Sequence, residues 1–172
     1  MSVASIIRDR HSYRAYDPSR KISEEDMALI LDAALNAPSA HNRQPFRIYR
    51  LKSAEAREKI YRCWDRAFLR DAPEILMVVG EEEEAWVYKD GRNSAVYIDC
   101  AIATSYMEMQ AWDLGIGSLW VCAFDREKVC ELFGFEMGRH TPVNLLVLGY
   151  EPDGVSKKPR LRKSLSALYS EL

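Results

Sequence analysis

"SAVYIDCAIATSYMEMQAWDL", residues 94–114, is the longest helical signal in the chain. As one helix it would span about 31 Å at 1.5 Å per residue. Val96, Ile98, Ala101, Ile102, Met107, Met109, Trp112 and Leu114 spread apolar side chains nearly all the way round it. A helix apolar on most faces is buried on most faces. Asp99, Glu108 and Asp113 argue against a membrane span, which leaves the centre of a domain or a subunit interface.

On either side of this segment the pattern alternates between helix and strand. "PEILMVVG" (73–80) is a continuous apolar run of strand length, the signature of a strand buried on both faces, and "VNLLVLGY" (143–150) reads as another buried strand. "FRIYRL" (46–51) and "GIGSLWVCAF" (115–124) add two more. Helices are expected at "SVASIIRDR" (2–10) and at "SEEDMALILDAALNAP" (23–38), where Ser23 is placed to cap and Glu24 and Glu25 face the positive end of the dipole. Further helices are expected from about Ala54 to Trp64, at "DREKVCELFG" (125–134) and at "KSLSALYSEL" (163–172). This order lacks regular strand–helix–strand alternation and points to an α+β layer fold. No repeat or linker divides the chain, so residues 1–172 are expected to form a single domain.

Composition sets limits on function. Lys and Arg number 24 against 26 Asp and Glu, so nothing global favours nucleic acid, and any anion site is local. "MSVASIIRDRH" does not read as a secretory signal, and no apolar run reaches the roughly 18 residues of a membrane span. Cys63, Cys100, Cys122 and Cys130 include no Cys-x-x-Cys pair and are expected as free thiols in the cytoplasm. His11, His41 and His140 are too scattered to suggest a metal.

Four stretches stand out chemically. In "RHSYR" (10–14), period-2 alternation puts Arg10, Ser12 and Arg14 on one side and His11 and Tyr13 on the other. Two guanidiniums bracketing a hydroxyl suit an anion such as phosphate, and an exposed basic turn would read the same. "NAPSAHNRQPF" (36–46) offers Ser39, Asn42 and Gln44, whose groups can bond the edge of a flat heterocycle or satisfy their own loop. "EEEEAWVYKDGRN" (81–93) is expected as a surface loop with a solvated acidic face, the alternative being a lid in which Trp86 and Tyr88 cover a ligand. "SKKPRLRKSL" (156–165) is a second basic cluster. Although "GIGSLW" superficially matches a dinucleotide fingerprint, it follows a helix and enters a strand, the reverse of what that motif needs. Gly115 as a helix cap and Gly117 as a turn into the strand account for it. With no nucleophile or metal set visible, a cofactor is expected to carry the chemistry.

In order, these pieces resemble the nitroreductase family of FMN-dependent oxidoreductases. "RHSYR" resembles the family's Arg-x-Ser-x-Arg/Lys motif, and "APSAHNRQPF" its Ala-Pro-Ser…Asn-x-Gln-Pro-Trp segment with Phe46 for Trp. "DLGIGSLWVCAF" resembles Gly-Leu-Gly-x-x-Trp-Ile-Gly, and "LLVLGY" followed by "RKSL" resembles the C-terminus. The resemblance implies a nitroreductase-like α+β fold: a mostly antiparallel sheet flanked by helices, with the 94–114 helix at a homodimer interface. It implies that Arg10, His11, Ser12 and Arg14 hold the FMN phosphate and ribityl chain, joined by Arg162 and by Arg160 or Lys158. Pro38, Ser39, Asn42 and Gln44 would lie along the ribityl chain and ring. Val121, Cys122 and Ala123 would run along the isoalloxazine with a backbone N–H near N5, leaving no catalytic side chain.

The implied activity is ping-pong hydride transfer from NADH or NADPH through FMN to a nitroaromatic or quinone-type acceptor. Alternatives are a flavin-binding protein without turnover and a same-fold dehalogenase or flavin-degrading enzyme. A third is an anion- or nucleic-acid-binding domain, which would be colourless. Cys122 stands where many members have Gly, and the region after Gly80 is short, leaving Trp86 and Tyr88 as the visible lid candidates.

Overall fold

A computed structural model describes residues 2–155 and 160–172. Four strands, β1 (Phe46–Arg50), β2 (Glu74–Glu81), β3 (Gly117–Val121) and β4 (His140–Gly149), form one sheet in the order β1-β2-β4-β3. All three pairings are antiparallel. Among the described residues there are six α-helices: α1 (Val3–Asp9), α2 (Glu24–Leu35), α3 (Ala54–Cys63), α4 (Ala67–Asp71), α5 (Val96–Asp113) and α6 (Arg126–Phe133).

β2 is buried on both faces because helices cover both. Leu76 and Val78 join Met27 and Ile30 of α2 and Cys100 and Met107 of α5 in one core. Ile75, Met77 and Val79 point the other way, into a second core with Ile60 of α3, Leu69 of α4 and Val129 of α6. The two apolar runs are therefore the two inner strands, as their lack of alternation requires.

The helices begin where local chemistry places them. Ser2, Ser23, Ser53 and Asp125 each accept the backbone N–H three residues on, which satisfies a donor the helix cannot. Gly115 and Gly134 follow α5 and α6 with φ of 75° and 74°, the left-handed conformation that ends helices.

Four expectations need correction. β4 starts at His140, three residues before the apolar run, and contains Pro142. The register shifts between Val78 and Val79, so Pro142 sits at an irregularity where a missing N–H is tolerated. The C-terminal helix is only a 3₁₀ turn, Leu165–Ala167. Its Leu165 and Leu168 are exposed, and so short a helix needs packing to persist. α4 has no counterpart in the sequence reading. Gly117 lies inside β3, where the Tyr13 ring covers its Cα, so close approach rather than a turn requires it.

Candidate functional site

Residues 10–16 run as an extended strap across the start of β3. Ser12 bridges Ser118 in parallel, and Tyr13 N–H donates to Ser118 O at 2.9 Å. The strap is not sorted cleanly into two sides, because Arg10, His11 and Tyr13 all reach the last two turns of α5. The His11 and Tyr13 rings turn inward and meet Trp112 of α5 at 5.1 and 6.0 Å between centroids. His11 Nδ1 bonds Asp9 O, while its Nε2 is buried without a partner.

Arg10 Nη1 lies 3.4 Å from Glu108 Oε1, an oxygen that also accepts from Ser118 Oγ at 2.8 Å. Glu108 is 8 % exposed on α5. It aims the Arg10 fork while leaving the remaining guanidinium donors free. The Ser12 hydroxyl and the exposed Arg14 guanidinium make no hydrogen bond or ion pair among the described residues. Three sets of unspent donors on a packed strap make an anion cradle.

Arg160 reaches the same place but is partly committed: its Nη1 donates to Arg8 O and Arg10 O, stapling the C-terminal segment to the strap. Arg162 is exposed and bonds only its neighbour, Leu161 O. Lys158 lies outside the described residues.

The 38–44 loop docks elsewhere. Ala40 N–H donates to Oδ1 of Asp99, in the first turn of α5, at 2.9 Å. Pro38 is exposed, Ser39 Oγ accepts the Gln44 N–H, and Gln44 Nε2 donates to Asn42 O and Oδ1. The loop thus spends Ser39 and Gln44 on its own shape and leaves the exposed Asn42 amide nitrogen available. His41, Asn42 and Gln44 have φ of 53°, 54° and 49°, a left-handed run costing about 1–3 kcal/mol per non-glycine residue.

The acidic segment is solvated in part: Glu83 and Glu84 are exposed, whereas Glu81 is buried and Glu82 half-buried. Glu81 faces His140, Glu82 accepts from Ser94 and Thr141, Glu83 pairs with Arg139 and Glu84 with Arg47. These five contacts tie down the segment that carries Trp86 and Tyr88. Trp86 stacks on His41 at 5.6 Å and 17° and meets Tyr88 edge-on at 4.7 Å. Arg43 donates to Ala85 O. The lid candidates and the 38–44 loop are therefore one tied unit.

Val121 ends β3, buried; Cys122 and Ala123 are exposed, and Trp120 Nε1–H donates to Cys122 Sγ at 3.0 Å. Ser118, the contact of the strap on β3, is three residues from Val121, about 10 Å along the strand.

The sequence reading missed the two acids that organise these groups. Asp99 and Glu108 are nine residues apart on α5, two and a half turns at 3.6 residues per turn and about 13 Å of rise. They therefore point to opposite sides of the helix, near opposite ends. Between them runs a face of Ile98, Ala101, Ile102, Ser105 and Met109 that is exposed or half-buried, whereas Val96, Cys100, Ala103, Met107 and Ala111 on the far side are fully buried. The available signal was charge inside a helix otherwise apolar all round.

A family model described as the nitroreductase family matches residues 7–66 and 61–150. A relative from Archaeoglobus fulgidus, provisionally named an NADH dehydrogenase/NAD(P)H nitroreductase, is 31% identical over 86% of this chain and 84% of its own. An FMN reductase [NAD(P)H] of Bacillus subtilis is 24% identical over 92% of this chain and 70% of its own. The crystal structure of a nitroreductase family protein from Clostridium difficile 630 superposes with a TM-score of 0.86 at 32% identity, covering 99% and 98% of the two chains.

Proposed function

The chain belongs to the nitroreductase family, and on that premise we propose that residues 1–172 form a single FMN-binding domain passing electrons from NAD(P)H to electron-poor nitroaromatic or quinone-type acceptors. It is an FMN-dependent NAD(P)H oxidoreductase. The observation that carries the assignment of the phosphate end is the strap, with donors of Arg10, Ser12 and Arg14 unspent on a segment fixed by Tyr13 and His11. Those donors fit a phosphate monoester in number and charge.

FMN, when bound, supplies the two-electron redox chemistry. The chain binds and orients. Arg10, Ser12 and Arg14 hold the phosphate, with His11 beside them and Arg160 and Arg162 completing the charge. Pro38, Ser39, Asn42 and Gln44 flank the ribityl chain and ring. Backbone N–H groups of the Val121–Ala123 stretch stabilise charge developing near N5. Trp86 and Tyr88 offer an aromatic edge for a planar acceptor. Donor and acceptor take turns in that space, the ping-pong order.

The active form is a homodimer with the cofactor between subunits. Supporting this, the strap and the 38–44 loop lie on opposite sides of α5, so each is half a site within one chain. The half-covered face of α5 and the exposed apolar residues Leu161, Leu165, Leu168 and Tyr169 supply surface for a second copy. No helix among the described residues is long and apolar enough to cross a membrane, and dependence on NAD(P)H fits a cytoplasmic enzyme.

The test is the visible spectrum of the purified protein before and after anaerobic NADH and NADPH. Flavin bands that bleach support the reductase and identify the donor. Bands that persist favour a binding role without turnover. A colourless protein that also fails to take up FMN rejects the assignment.

A further inference from the structure

Three non-glycine residues in succession or near-succession with positive φ need something to hold them there. The far end of the 38–44 loop is fixed by β2, through Glu81 N–H to Pro45 O at 2.9 Å. Ser39–Gln44 closes the loop on itself, and Arg43–Ala85 and His41–Trp86 join it to the 81–93 segment. The near end is fixed to the core by Asp99, whose Oδ1 accepts Ala40 N–H immediately before the left-handed run.

Asp99 is a costly choice for stability alone. It is 1 % exposed, and its Oδ2 is buried with no hydrogen-bond partner among the described residues, an arrangement that disfavours the folded chain. What it contributes is position. From the first turn of the longest helix it reaches the backbone of a loop 59 residues away in sequence and sets where that loop begins.

We infer that Asp99 is a positioning residue for the flavin site: by holding Ala40 it keeps the His41 and Asn42 backbone left-handed, so that the Asn42 side-chain amide is presented to the ring end of the cofactor. This rests on the reading of the 38–44 loop as a flavin contact. Asp99 touches no cofactor atom itself. Its effect is therefore on the ring and ribityl end and not on the phosphate, which the strap holds at the other end of α5.

Whole-chain Asp99→Ala and Asp99→Asn variants test this, since Asn keeps an oxygen that can accept from Ala40 N–H. In the flavin-free protein, amide exchange over residues 40–44 should quicken in Asp99→Ala and stay near the unmodified rate in Asp99→Asn. Affinity for both FMN and riboflavin should fall on the order of tenfold in Asp99→Ala, the scale of one lost buried bond. The FMN-to-riboflavin ratio should hold, because the phosphate end is untouched, and Asp99→Asn should recover to within about threefold.

Unchanged exchange in a folded Asp99→Ala overturns the inference and leaves the flavin assignment standing. Faster exchange with unchanged flavin affinity overturns the link between the loop and the ring. A loss confined to FMN, or an Asp99→Asn variant as weak as Asp99→Ala, also overturns it. An unmodified chain that binds neither flavin removes the assignment beneath it, and the inference falls with it.

Discussion

The ring of Tyr13 occupies the space that a side chain on Gly117 would need: a Cβ built there would lie 1.9 Å from Tyr13 Cδ2. The strap is thereby seated directly on the backbone of β3. Gly117→Ala should force the ring, and the Arg10–Arg14 stretch with it, off the strand. Overpacking of this kind costs about 1–3 kcal/mol. Thermal unfolding and FMN titration should both register the change, and a variant that melts and binds as before would show that the contact gives way cheaply.

Arg14 has no protein partner to lose among the described residues. Arg14→Ala should therefore leave stability nearly unchanged while weakening FMN by about 1.5–3 kcal/mol, the range for one charge-assisted bond. Riboflavin, which lacks the phosphate, should bind this variant as it binds the unmodified chain. Parallel titrations with the two flavins decide the point.

Ile98 is 50 % exposed on the half-covered face of α5. Ile98→Glu places a charge where the partner helix is proposed to pack, and burying it unpaired would be prohibitive. Size-exclusion chromatography with light scattering should show a monomer with native helical content and reduced flavin retention. A dimer that persists would move the interface off this face.

A shared site also makes a prediction about mixtures. Arg14→Ala damages the strap and Asn42→Ala the loop. In a heterodimer of the two, one site carries both defects and the other carries neither. Co-refolded chains should recover native FMN affinity at half the sites of the heterodimer, whereas sites built within single chains would recover none.

Of the four cysteines, Cys122 is exposed and the other three are buried. Burial raises the Cys63 and Cys130 thiols and pushes Cys100 up to about 12. The thiolate is the reacting form, so a thiol reagent near neutral pH should label one equivalent quickly, at Cys122. Bound FMN should slow that labelling, because Cys122 is proposed to lie along the ring. Mass spectrometry of the labelled chain gives both the stoichiometry and the position.

What the sequence reveals here depends on how far apart the interacting residues are. The caps at Ser23 and Asp125 act over three residues, and both helices start where those residues suggest. The apolar runs of β2 and β4 disclose burial on two faces without any knowledge of what covers them. The helical pattern at 163–172 misleads because periodicity reports only the ability to pack, and Leu165 and Leu168 stay exposed. Pro142 hides the start of β4 because the irregularity that accommodates it belongs to the pairing with β2. The density of donors in the strap is local and visible. The organising bonds, Ala40 to Asp99 across 59 positions and Arg10 to Glu108 across 98, are not. The partners of the acidic run are likewise hidden: Glu84 meets Arg47 and Glu82 meets Thr141 only once the sheet has formed.

The proposed division of the site between opposite flanks of one helix has a thermodynamic corollary. If each cofactor is held jointly by two chains, occupancy and assembly are linked equilibria, and FMN stabilises the pair by mass action. Diluting the protein would then release flavin, and adding flavin would restore the pair. The yellow colour of a sample would report its concentration relative to the dissociation midpoint, with apoprotein accumulating as separate, sticky monomers whose exposed leucines invite aggregation. Cofactor supply would in this way govern how much of the folded protein persists, as well as how much of it works.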